Sequence, residues 1–111
     1  MKRVLNRLAN LPPGDAFPLP ATLCRVGDAC WLAVECEHYN LLQRALRDRF
    51  HDIPLIVCTL TGGARGTYLP TRETYGKGIY QESIALLAPG SLEQLIETVA
   101  LKIAQMYPER P

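Results

Sequence analysis

Pro54-Leu55-Ile56-Val57-Cys58-Thr59-Leu60-Thr61-Gly62-Gly63 decides how this chain folds. Leu55 to Leu60 is almost continuously apolar, with proline before it and glycines after. Such a run reads as a central strand buried on both faces, the pattern of parallel sheets covered by helices. The preceding segment agrees. Over residues 37–50, Tyr39, Leu42, Leu46 and Phe50 recur three to four residues apart, while Arg44, Arg47, Asp48 and Arg49 fill the remaining arc. That spacing predicts an amphipathic helix. It ends before Asp52 and Pro54, and the proline biases Ile53 away from helical geometry.

Upstream, residues 21–26 and 29–36 are strand-like runs separated by Gly27-Asp28, where the glycine can take positive φ and close a tight hairpin. The order strand, strand, helix, strand predicts a right-handed parallel crossover from the second strand to the one after Pro54. Downstream, residues 61–82 hold Gly62, Gly63, Gly66, Gly76 and Gly78 among Tyr68, Tyr75 and Tyr80, with few aliphatic side chains. This composition predicts a long ordered loop of the kind that often carries function or contacts. Pro89-Gly90-Ser91 introduces the last element, with Ser91 as the expected N-cap and Gln94 closing a capping box. Leu92, Leu95, Ile96, Val99, Ile103 and Met106 then form a helical packing stripe that runs to Tyr107 and stops at Pro108.

The expected fold class is therefore α/β: a small mixed sheet with a hairpin, a parallel βαβ crossover and a long C-terminal helix, part of a larger domain. Residues 1–19 divide into a short helix over 2–11, ended by Pro12-Pro13-Gly14, and an irregular connector that holds Pro18 and runs up to Pro20. Residues 20–107 form the partial α/β domain.

Composition narrows the classes of function. The 111 residues are 48% hydrophobic and 21% charged, values of a globular rather than a disordered chain. The formal charge is +1 and the basic residues are scattered among acidic ones, which argues against a nucleic-acid partner. No apolar run approaches the roughly 20 residues that span a bilayer. Cys24, Cys30, Cys36 and Cys58 have neither the paired short spacings of a structural zinc site nor a disulfide framework. They read as small buried apolar side chains, Cys24 sharing a face with Val26 and Cys30 with Leu32 and Val34, and reducing surroundings suit them.

Ionisable side chains gather in Glu35-Cys36-Glu37-His38-Tyr39 and in Thr67-Tyr68-Leu69-Pro70-Thr71-Arg72-Glu73, both just beyond predicted strand ends, where α/β proteins keep their chemistry. Glu37 stands where the second strand hands over to the helix, so it can cap the first turn or serve as a ligand. Tyr68 follows the buried strand, and parallel pairing would bring it to the same sheet edge; it reads as a packed aromatic or a ligand. His38 and His51 lie at opposite ends of a helix, roughly 20 Å apart at 1.5 Å per residue, and cannot share a metal. The glycines after Leu60 lack the lysine and hydroxyl of a phosphate loop, and Ser83 and Ser91 lack a nucleophile elbow. A cysteine enzyme built on Cys36 and His38 would lack an orienting group.

At these residues the chain resembles a known family. Val26-Gly27-Asp28 and a hydrophobic strand, an acidic residue at its end, Leu46-Arg47 in the next helix and a second hydrophobic strand come first. Tyr68-Leu69-Pro70-Thr71-Arg72-Glu73-Thr74-Tyr75, Tyr80-Gln81-Glu82 and Ala88-Pro89-Gly90-Ser91 follow in order. Over residues 20–107 this order resembles the C-terminal part of the catalytic domain of the neutral or alkaline ceramidases and their bacterial relatives. The resemblance implies an amidase that hydrolyses an N-acyl bond with zinc held by two histidines, a glutamate and a tyrosine. Glu37 and Tyr68 correspond to the glutamate and tyrosine ligands. The implied zinc histidines and active-site serine belong to upstream sequence that this chain does not contain. Relatives carry proline-glycine where this chain has Glu35-Cys36, so that either Glu35 or Glu37 can face the metal.

The expectation is thus a C-terminal fragment of a ceramidase-like zinc hydrolase, inactive alone, partnered by an upstream polypeptide that carries the remaining site residues. Apolar surface left by the missing part would favour self-association. The alternative is a small noncatalytic α/β binding or structural module whose glycine-rich loop engages another protein.

Overall fold

The structure is a computed structural model and describes Leu5, Asn6, Ala9 and residues 13–63 and 67–110. Most of the helix expected over 2–11 lies outside the described residues; Leu5, Asn6 and Ala9 are helical and exposed.

Strands β1 (Ala21–Val26) and β2 (Ala29–Val34) form the expected antiparallel hairpin, with Val26 opposite Ala29. Gly27 takes φ 60° in the turn, a conformation that a residue with Cβ rarely adopts. Beyond β2 a two-residue strand, β3 (Glu37–His38), precedes helix α1 (Leu41–Arg49). Strand β4 (Leu55–Cys58) returns parallel to β2, with Trp31 opposite Ile56, so the crossover is present. Strand β5 (Tyr68–Leu69), a 3₁₀ turn (Arg72–Thr74), helix α2 (Tyr80–Ile84) and helix α3 (Ser91–Met106) complete the chain. The protein is a mixed α/β fold with a three-stranded sheet ordered β1-β2-β4 and a separate parallel pair, β3-β5. No helix among the described residues is long and apolar enough to cross a membrane.

Alternation along the strands explains the core. Cys30, Leu32 and Val34 of β2 and Leu55 of β4 point to one face, which meets Leu42 and Leu46 of α1 and Leu92, Ile96, Val99 and Ile103 of α3. Arg49 and Glu97 join the two helices as an ion pair on their outer side. At the far end the Arg25 guanidinium lies 4.2 Å from the centre of the Tyr107 ring, donates to the Met106 carbonyl at 2.9 Å and pairs with Glu109.

Several expectations need correction. β4 is not buried on both faces: it is an edge strand, and Ile56 is 43% exposed beside Trp31 at 45%. An apolar run shows that a strand is compatible with burial, not that a second layer covers it. Cys24 is exposed on this outer face and Cys58 half-buried, whereas Cys30 and Cys36 are buried as expected; all four are unpaired. The helix begins at Leu41, not at Glu37, because Glu37 and His38 are committed to β5. Ser91 is not the N-cap of α3. Gly90 holds that place with φ 91°, and the Ser91 hydroxyl donates back to the Ala88 carbonyl at 2.7 Å. The segment expected as a loop over 61–82 contains β5 and the 3₁₀ turn, and α2 begins within it.

Candidate functional site

The strand that begins as β2 changes neighbours at its end. Through Val34 and Cys36 it is bonded to the β4 side, where Thr61 N–H donates to the Val34 carbonyl at 3.1 Å and Leu60 N–H to the Cys36 carbonyl at 3.2 Å. One residue later it joins β5: Glu37 N–H donates to the Thr67 carbonyl at 2.7 Å and Tyr39 N–H to the Leu69 carbonyl at 3.1 Å. A crevice between diverging neighbours at strand ends is where open α/β sheets bind ligands.

Glu37 and Tyr68 meet at this point. They are opposite partners in the parallel register, so their side chains leave the same face of the β3-β5 pair. Glu37's charge is the foremost reason that the Tyr68 phenol lies above its ordinary range; partial burial and a hydrogen-bonding contribution from the same carboxylate add to it. The Tyr80 ring of α2 packs edge-on against Tyr68, with centroids 5.9 Å apart. Tyr68 thus has a carboxylate opposite it in register and an aromatic ring packed edge-on against it.

Glu37 is not a helix cap, since α1 starts four residues beyond it at Leu41. Glu35 is directed elsewhere: its carboxylate lies against Gly62, where an added Cβ would stand 2.4 Å from Oε1. Of the two carboxylates left open by the sequence, Glu37 is therefore the one across from Tyr68. His38 alternates to the other face of β3; its Nδ1 lies 3.1 Å from the Tyr39 carbonyl and its Nε2 is enclosed without a partner. His51 is exposed beyond the other end of α1.

Two oxygen donors fit part of a zinc site and fall short of the three protein ligands of a catalytic one. Among the described residues no three His, Cys, Asp or Glu side chains gather to hold a metal ion. Glu37 and Tyr68 thus supply two oxygen donors on one face of the β3-β5 pair.

A cleft of about 660 Å³ opens at the carboxyl ends of β3 and β5, with Tyr39, Arg44, Thr71, Arg72, Glu73 and Glu93 in its lining. Glu93 is fixed there by the Arg72 N–H, which donates to Oε1 at 2.8 Å. Glu37 and Tyr68 lie outside this lining. Sequence reasoning passed over two residues beside the pair, Leu60 and Thr67, which have φ 55° and 51°. No residue preference signals a left-handed leucine or threonine, so only coordinates reveal them. Compared with known proteins, the chain matches no family model, no curated protein and no solved structure.

Proposed function

We propose that this chain is the C-terminal part of a ceramidase-like, zinc-dependent N-acyl amide hydrolase, inactive alone and completed by an upstream polypeptide that supplies two histidines and a serine. The observation that carries the reading is the register of Glu37 with Tyr68. These are the two residues singled out by the resemblance, and they come from segments separated by a helix and a strand. The uncovered outer sheet face, with Trp31 and Ile56 exposed, also fits a domain that continues into further polypeptide.

Glu37 and Tyr68 would hold the zinc ion through their oxygens. When bound, zinc supplies a Lewis acid that polarises the amide carbonyl and activates the attacking oxygen. The contribution of this chain is preorganisation. The Glu37 carboxylate provides negative charge at a fixed backbone position, and beside that charge the Tyr68 hydroxyl holds its proton more tightly than a free phenol.

Zinc binding by the isolated chain, measured by native mass spectrometry and calorimetry, tests the reading. The expected result is weak one-to-one binding that either Glu37→Ala or Tyr68→Phe abolishes, with no hydrolysis of N-acyl amides by the chain alone. Folded wild type that ignores zinc, or variants that bind as well as wild type, would overturn it. In that event the apolar outer face favours a noncatalytic binding module.

A further inference from the structure

The Cys36–Glu37 peptide unit is gripped on both sides by left-handed residues. Its carbonyl accepts the Leu60 N–H at 3.2 Å, and its N–H donates to the Thr67 carbonyl at 2.7 Å. Leu60 and Thr67 are the only non-glycine residues with positive φ among the described residues. The conformation is least tolerable for Thr67, because a β-branched side chain crowds the backbone there. Strained backbone persists only where surrounding contacts over-determine it, and it concentrates at functional sites.

The contacts that over-determine Thr67 can be named. It is 8% exposed, and its hydroxyl donates to the carbonyl of Ile84 at 3.1 Å. Ile84 is the last residue of α2, where carbonyls have no partner within the helix. The same short helix carries Tyr80, whose ring packs against Tyr68. Thr67 therefore links β3 through its carbonyl, α2 through its hydroxyl and Tyr68 through the chain itself. An ordinary loop residue would need none of these three ties.

We propose that Thr67 is a positioning residue: by tying its hydroxyl to the end of α2 and its carbonyl to the Glu37 amide, it sets the register in which Tyr68 faces Glu37. The inference rests on the reading of that pair as the working half-site. It adds a residue that touches neither metal nor substrate, and it accounts for strain that the pair itself does not explain.

Amide hydrogen exchange by NMR on the metal-free chain tests it. Thr67→Val keeps the shape and removes the hydroxyl donor. The expected result is exchange about tenfold faster at the Glu37 and Tyr39 amides, with loss of the ring contacts between Tyr68 and Tyr80, while the amides of Leu32 and Ile96 keep their rates. Thr67→Ser is expected to restore the wild-type pattern. Unchanged exchange at Glu37 and Tyr39 in the valine variant would overturn the proposal, as would equal acceleration throughout the molecule. If the valine variant does not fold, Thr67→Gly, which suits the left-handed backbone but lacks the hydroxyl, is expected to show the same local loss; wild-type protection in it would overturn the proposal. Because the measurement needs no zinc, a negative zinc titration and a negative exchange result are separate outcomes.

Discussion

The hydroxyl of Tyr107 donates to the carbonyl of Ala29 at 2.7 Å, joining the end of α3 to the start of β2. Tyr107→Phe removes this bond and leaves the ring against Arg25, so the change isolates the hydrogen bond. A cost of about 1 kcal/mol is expected, and a fall of roughly 4–8 °C in the thermal midpoint. An unmoved midpoint would mean that water replaces the phenol at no cost.

The two faces of β2 should respond very differently to substitution. Leu32 is fully buried between sheet and helices, whereas its neighbour Trp31 is 45% exposed on the outer face. Leu32→Ala is expected to cost about 2–5 kcal/mol through lost burial and a cavity, and Trp31→Thr less than about 1 kcal/mol. Urea denaturation at several protein concentrations distinguishes the cases. Similar costs at both positions would show that the outer face is covered in solution.

Gly90 combines a left-handed backbone with a crowded surrounding. Its φ is 91°, and an added Cβ would stand 2.3 Å from the Arg72 guanidinium. Gly90→Ala should destabilise by about 1–3 kcal/mol. Combining it with Arg72→Ala should recover the steric share and leave the backbone share, so a double-mutant cycle separates the two. Complete additivity would mean that the guanidinium moves aside freely.

Stability should erode at both ends of the pH scale. Burial pushes the Cys36 thiol from 9.0 up to about 12 and also raises Tyr75. A raised folded-state pKa means that the native state holds its proton more tightly than the unfolded chain. That contribution is complete below about pH 9 and is lost as pH rises toward 12. Hydrogen bonds from Arg25, Arg110 and Arg49 lower Glu109, Asp52 and Glu97, whose contributions are complete above the ordinary carboxylate range and are lost on acidification. Urea midpoints measured across pH should therefore plateau near neutrality, and Cys36→Ala should flatten the alkaline limb. An alkaline limb identical in wild type and variant would remove Cys36 from this account.

Much of the scaffold was legible because it is local. Gly27-Asp28 marked the hairpin, and the stripe from Leu92 to Met106 marked α3, since each pattern lies within a few residues. The start of α1 was not legible. Glu37 and His38 are strand only because Tyr68 and Leu69 lie beside them, and periodicity carries no knowledge of so distant a partner. The edge position of β4 was hidden for the same reason. The candidate pair was anticipated in its main feature, since parallel strands were expected to carry Glu37 and Tyr68 to one edge. The grip of Leu60 and Thr67 on the peptide between them was not, because it depends on backbone angles that residue identity disfavours.

Helix α3 has a consequence for the order in which the protein can be made. It is the last of these elements to leave the ribosome, yet its Leu92, Ile96, Val99 and Ile103 cover the face formed by β1, β2 and β4. While the nascent chain ends short of Ser91, the hairpin and the crossover expose their inner face as well as their outer one. Such surface invites chaperone capture or misassociation during synthesis.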